Sequence, residues 1–296
     1  MEGRRVIVAG ASGYLGKHII RELQIRKIEF GAIVRKKESV YELNLTDKQL
    51  IEAEVTKPNT LSGIINNGDV LISCVGITRQ KDGLTYKDVD FQANVNLLNE
   101  AKASGAVKVV YISVLNGELM RHLKLVEAKE AFVDYLKTST LNYTVIRPNG
   151  FFSDMKDFLQ MARKGKVFLF GKGQFMLNPI HGADLARVVV DSIETSTNEI
   201  EVGGPDILTQ EEIAELALKA FKFEIKISHI PDWVRKSILA LLRAFTTSKT
   251  YGPYEFFLSM MAQDNIAPRY GVHRLKDFFQ EEADKINTHK KTPKEI

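Results

Sequence analysis

Three glycines at three-residue intervals, Gly10-Ala11-Ser12-Gly13-Tyr14-Leu15-Gly16, follow directly on the apolar run 6–9, and Leu15, Ile19, Ile20 and Leu23 then recur at helical spacing. That order demands a buried strand, a tight turn and a helix with nothing between them. Glycine at these positions permits the turn, the close approach of a pyrophosphate, and close packing of helix on strand. The first N–H groups of such a helix lack intrahelical partners and sit at its positive end, so they suit a phosphate. The segment reads as the cradle of a nucleotide cofactor touched by Gly10, Ser12, Gly13, Tyr14, Leu15 and Gly16. A bare structural turn is the alternative.

The same alternation continues downstream. Segments 29–34, 50–55, 69–75, 107–113 and 143–147 read as further strands. Helical patterns run over 91–103, ended by Gly105, and over 123–136, and residues 56–58 place Pro58 in the first turn of another helix. Parallel strands need crossover helices, so residues 1–150 are expected to form a Rossmann-type doubly wound parallel sheet of the α/β class. Beyond it the pattern predicts strands at 166–170, 175–180 and 199–202, a helix at 183–193, and a helix over 209–221 capped by Thr209 with Glu212 three residues later. Residues 151–296 are thus expected to be a smaller C-terminal α/β substrate lobe built onto the same sheet, ending in a frayed tail over 287–296.

The end of the second strand selects the cofactor. Sites for NAD place an Asp or Glu there to hold the ribose 2′-hydroxyl. This chain has Val34-Arg35-Lys36-Lys37, with no carboxylate until Glu38. Arg35 can grip a 2′-phosphate through two parallel charge-assisted hydrogen bonds, so NADP(H) is expected. A solvated basic turn is the other reading. Cys74 and Val75 close the fourth strand, and with Gly76 they are assigned to cofactor contact. Cys74, a lone cysteine in an apolar strand, receives no catalytic role and excludes an internal disulfide or a cysteine-based zinc site. No metal is expected. A net charge of +4 is too slight for a nucleic-acid binder, no signal peptide is read at the amino terminus, and no run of about 18 apolar residues could span a membrane. The chain reads as cytoplasmic, and its oligomeric state stays open.

These residues, together with Asn94, Ser113, Lys129 and Arg147-Pro148-Asn149-Gly150-Phe151-Phe152, resemble the atypical short-chain dehydrogenase/reductase superfamily. Within it, the chain is similar to NmrA-like NAD(P)-binding proteins and to divinyl chlorophyllide 8-vinyl reductases. Phe170-Gly-Lys-Gly173, Asn178-Pro-Ile-His181, Asp184-Leu-Ala186, Val202-Gly-Gly-Pro205, Tyr270-Gly271 and 275–279 carry that similarity past the sheet. The resemblance implies that Asn94, Lys129 and Pro148 serve the cofactor and that Lys129 holds the nicotinamide ribose. It implies hydride transfer to an electron-poor double bond or carbonyl of a small apolar substrate. Its rival implication is a regulator or assembly factor that binds NADP(H) without turnover. One departure bears on both. The superfamily's usual pair is Tyr-x-x-x-Lys, but Leu125 stands four residues before Lys129, and none of the nine tyrosines precedes a lysine by four.

Other groups are therefore candidates for proton delivery. His122 lies seven residues before Lys129, on the same face if the helix begins that early; the plainer reading is a surface residue at the helix start. Ser113 ends the fifth strand, where open sheets contact ligands, or else satisfies a backbone group there. Arg79, in the loop after the fourth strand, meets an acidic ligand group or is a solvated charge. Phe151 and His181 are assigned to the substrate, with helix capping the alternative for His181. Finally, segment 231–245 places Val234, Ile238, Leu241, Leu242 and Phe245 on one helical face. That face packs on the core, covers an apolar ligand, or lies on anionic lipid as a peripheral membrane contact; core packing is the default.

Overall fold

The computed structural model describes residues 4–78, 80 and 83–291. Its strands are β1 (Val6–Ala9), β2 (Phe30–Val34), β3 (Leu50–Glu52), β4 (Val70–Ser73), β5 (Lys108–Ile112), β6 (Asn142–Pro148), β7 (Val167–Phe170), β8 (Met176–Leu177), β9 (Glu199–Val202), β10 (Leu208–Thr209) and β11 (Ile227–Ile230). Its α-helices are α1 (Tyr14–Ile25), α2 (Asn94–Ser104), α3 (Lys124–Lys137), α4 (Lys156–Ala162), α5 (Gly182–Asp191), α6 (Gln210–Ala220), α7 (Asp232–Phe245), α8 (Ser248–Met260) and α9 (Leu275–Lys291). Contacts divide the chain into one unit of residues 1–148, 185–201 and 246–256, and a second of 149–184, 202–245 and 257–296.

The first unit is built on a sheet of order β3-β2-β1-β4-β5-β6-β9. Its pairings from β3 through β6 are parallel. β1, β2, β4 and β5 are buried at every position, as continuous apolar strands covered on both faces should be. Lys108 is the charged exception on β5. Its ammonium donates to the carbonyls of Ser192 (2.6 Å) and Thr195, just past the end of α5, where a cation suits the helix dipole. The order reverses between β1 and β4, which makes the carboxyl ends of those strands the expected ligand crevice. Ile7, Leu71, Leu97, Val109, Tyr111 and Phe132 lie in the core beneath it.

Several expectations are corrected. The helix predicted to start at 56–58 is a single 3₁₀ turn, Pro58–Thr60, and Gly63 soon follows with φ 75°. The helix over 91–103 begins earlier, as π-helical turns over Lys87–Ala93 that run into α2. The strand expected over 175–180 stops at Leu177, two residues before Pro179, which has no N–H to donate. Residues 185–201 and 246–256, which the sequence reading placed in the second lobe, group with the first unit. The Val145 N–H donates to Asn198 O in the approach to β9, Gln80 Nε2 donates to Ser248 O, and the Lys124 N–H donates to Glu255.

In the second unit β7 pairs with β11 in parallel and β8 with β10 antiparallel. Helices α4, α6 and α9 pack together around Phe158, Leu159, Ile213, Leu218, Leu275 and Phe279. α9 runs on through 287–291, where a frayed tail was expected; residues 292–296 lie outside those described. The cap foreseen at Thr209 is present. The Glu212 N–H donates to Thr209 Oγ1 (3.1 Å), and Glu212 Oε2 accepts from the Thr209 N–H (2.7 Å). Thr209→Ala should accordingly cost about 1 kcal/mol of unfolding free energy, read as a lowered urea midpoint at unchanged slope.

Candidate functional site

The turn between β1 and α1 is shaped by what its glycines exclude. Gly10 has φ 81°, and a Cβ there would stand 2.9 Å from the Cys74 carbonyl oxygen. A Cβ on Gly16 would collide with the Gly10 carbonyl oxygen, so only glycine lets α1 come this close to the strand end. Gly13 is the N-cap of α1. It supplies no side-chain cap, and no acidic residue occupies the first turn. The helix therefore presents its first N–H groups and its positive end without a carboxylate to repel an anion. Ser12 and Gly13 are exposed, Tyr14 is half-buried edge-on to His18, and Leu15 lies in the core, which leaves its backbone for any ligand contact. A dinucleotide's diphosphate fits this cradle. At the end of β2, Arg35 is exposed and makes no hydrogen bond or ion pair among the described residues.

The loop after β4 forms the next wall. The Cys74 thiol donates to Ala9 O (3.1 Å), and burial pushes its pKa up to about 12, so it stays a thiol. Val75 is buried and Gly76 exposed. Asn94 is fully buried and braces this loop. Its amide donates to Val75 O (3.3 Å), Val89 O (3.2 Å) and Asp90 O (2.9 Å), and its oxygen accepts from the Ser73 hydroxyl (2.5 Å). Pro148, at the end of β6, is buried, and its carbonyl accepts from the Leu115 N–H.

Lys129 projects from α3 to the same loop. Its ammonium lies 3.1 Å from Oδ1 of the fully buried Asp90 and 5.6 Å from the centroid of the buried Tyr111 ring. A Cβ on Gly76 would come within 2.6 Å of Asp90 Oδ1 and 2.9 Å of Lys129 Nζ, so the pair sits directly against a backbone kept bare. Burial works against the lysine charge. Tyr111 and Asp90 more than offset it, and the ammonium is held above the usual lysine range. Leu125, where the superfamily's tyrosine would stand, is a core residue.

The other proton-donor candidates are differently placed. His122 is exposed in the turn before α3, which begins only at Lys124, so it is not two helical turns from Lys129 on one face. Ser113 is buried, and its hydroxyl donates to Glu130 Oε1 (2.6 Å). Arg147 holds the same carboxylate with two parallel bonds (2.7 and 3.0 Å) and also donates to Glu199 (2.9 Å). Asp90 and Glu130 are absent from the sequence-derived site. Their signals were faint: Asp90 precedes Asn94 by one helical turn, and Glu130 directly follows Lys129.

In the second unit, Phe151 is half-buried, and its N–H donates to Asp154 (3.0 Å). His181 stacks on His273 with centroids 4.3 Å apart and stands edge-on to Phe152 and Phe278. Its Nδ1 accepts from the Ala183 N–H, the capping contact at the start of α5. Burial and the neighbouring His273 push the imidazole of His181 down to about 4, so it is neutral at pH 7. The buried Asp184 fixes His273, accepting its N–H and meeting Nδ1 at 2.9 Å. Arg79 lies outside the described residues.

Residues 10–196 match a protein family described as NAD(P)H-binding. Photosystem II assembly factor Ycf39 of Guillardia theta is 28% identical over 230 residues, covering 76% of this chain and 73% of that protein. The chloroplastic divinyl chlorophyllide a 8-vinyl-reductase of Arabidopsis thaliana is 25% identical over 317 residues, covering 93% and 75%. The NADPH-dependent quinone oxidoreductase QOR2 of Escherichia coli, solved with NADPH, shares the fold with a TM-score of 0.66 at 16% identity, covering 95% and 99%. The fold class and the resemblance read from the sequence are both borne out.

Removing one member of the Asp90–Lys129 pair should be costly. Asp90→Asn leaves the ammonium without its counter-charge and should lower unfolding free energy by about 3 kcal/mol. Asp90→Asn with Lys129→Met removes both charges and should recover most of that loss in chemical denaturation. Equal destabilisation by the single and double variants would contradict the pairing.

Proposed function

The chain belongs to the NAD(P)H-binding family, and on that premise we propose that it is a cytoplasmic NADP(H)-dependent reductase acting on an electron-poor double bond or carbonyl of a small apolar substrate. The observation that carries the cofactor choice is Arg35, an exposed and unpaired guanidinium where a ribose-binding carboxylate would repel a 2′-phosphate. The cofactor, when bound, supplies the hydride. The N–H groups of the 10–16 turn hold its diphosphate, Arg35 its 2′-phosphate, and the Asn94-braced loop 74–76 the wall beside it. Lys129 positions the ribose end and stabilises negative charge developing on the substrate. Ser113 is engaged with Glu130 and His122 lies outside α3, so the proton is left to water. Phe151 and His181 are the proposed substrate contacts, and the relative named for vinyl reduction is in keeping with an apolar substrate.

A second reading, cofactor binding without turnover, is favoured by one specific observation. The three catalytic candidates are each engaged or displaced: Ser113 by Glu130, Lys129 by Asp90, and His122 by the late start of α3. The Guillardia theta relative, named an assembly factor, is in keeping with it. NADPH oxidation against a panel of apolar enones and porphyrin-type vinyl compounds separates the two readings. The reductase should consume NADPH with at least one class, and the Asp90→Asn/Lys129→Met variant should lose about a hundredfold in turnover. The double variant is the sound one to use, because Lys129→Met alone would strand a buried carboxylate. Undiminished turnover would refute the role of Lys129. NADPH binding with no oxidation across the panel would establish the second reading.

A further inference from the structure

Among the described residues no helix is long and apolar enough to cross a membrane, yet α7 leaves part of its apolar surface outward, with Val234 and Leu242 half-buried. Its buried residues are Arg235 and Leu239 alone, and Arg235 is neutralised by Asp232 at 2.6 Å. Trp233, Ser237, Leu241 and Phe245 recur every four residues on the opposite face, with Trp233 68% exposed, Leu241 57% and Phe245 81%. Ile238 borders that ridge and is exposed as well. The core packing expected of this helix is therefore not what its outer face does. The ridge carries two aromatic residues and no charge.

Charge indicates what covers it. Residues 222–245 hold Lys222, Lys226, Arg235, Lys236 and Arg243 against Glu224 and Asp232, a surplus of +3 within a chain whose whole surplus is +4. Lys236 and Arg243 lie two turns apart along one flank of α7, both exposed, and Lys236 also meets Asp232 at 3.3 Å. We propose that α7 is a docking surface for an anionic membrane, lying in the interface plane with Trp233, Leu241 and Phe245 inserted at the headgroup boundary. A cationic flank beside an apolar face containing Trp and Phe is what such a surface selects. A second copy of the chain is less suited, because two α7 faces meeting about a two-fold axis would bring like charges together. The inference is independent of whether the protein reduces anything.

Trp233 is the chain's only tryptophan, so its emission reports this helix alone. The protein is mixed with phosphatidylcholine vesicles with and without phosphatidylglycerol, and both emission and co-sedimentation are followed. The proposal expects binding to the anionic vesicles, a blue shift of the emission, and loss of both as salt is raised. Leu241→Asp should abolish binding without changing the unfolding midpoint, since the side chain is exposed. Lys236→Glu should weaken binding by about tenfold. Failure to bind anionic vesicles overturns the proposal, and so does binding with no change in Trp233 emission. A blue shift that grows with protein concentration in the absence of vesicles, together with dimer in sedimentation, would assign the face to a second copy and also overturn it.

Discussion

The approach of α1 to the ends of β1 and β4 is the contact on which the first unit depends. Three backbones meet there, and two glycines set the distance. Gly10 adopts a left-handed conformation against the Cys74 carbonyl, and Gly16 leaves room for the Gly10 carbonyl beneath the first turn of the helix. The same closeness that packs the helix on the sheet leaves its first amides uncapped. Structure and binding capacity at this corner therefore have one cause, and a side chain at either position would disturb both.

Behind that corner the unit has to accommodate buried charge. Lys129 and Glu130 are adjacent on α3 yet point to different partners, one to Asp90 and the other to Arg147 and Ser113. Each of these two adjacent charges has an opposite one at hydrogen-bond distance, the condition under which burial is tolerable. The arrangement also bears on chemistry. A lysine neutralised by a buried carboxylate exerts a weaker field on a ligand than a free one, and no phenol stands beside it on the helix, because Leu125 belongs to the core. Tyr111 comes close to Lys129 from β5 instead, but it is fully buried, so its hydroxyl is not presented to solvent.

Much of this was legible in the sequence where one local signal decides one local structure. The apolar runs 6–9 and 107–113 read as buried strands because a parallel sheet leaves them no polar face. The Thr209 cap was visible because both of its partners lie within four residues. What escaped depends on neighbours distant in sequence. Periodicity marked the apolar face of α7 but could not say that Arg235 and Leu239, rather than Leu241 and Phe245, would turn inward. Spacing put His122 and Lys129 on one face, but the helix start that decides it lies at Lys124. Asp90 carries no local mark of its pairing with Lys129, which the π-helical turns over Lys87–Ala93 and the path of α3 create together.

The central claim is that the open amino end of α1 and the unpaired Arg35 together hold NADP(H). Calorimetric titration of the wild type and of Arg35→Glu with NADPH and with NADH tests it most directly. The account predicts one NADPH per chain, bound at least about tenfold more tightly than NADH, with the preference reversed by Arg35→Glu. Equal affinities for the two cofactors, or a preference that survives the substitution, would contradict it.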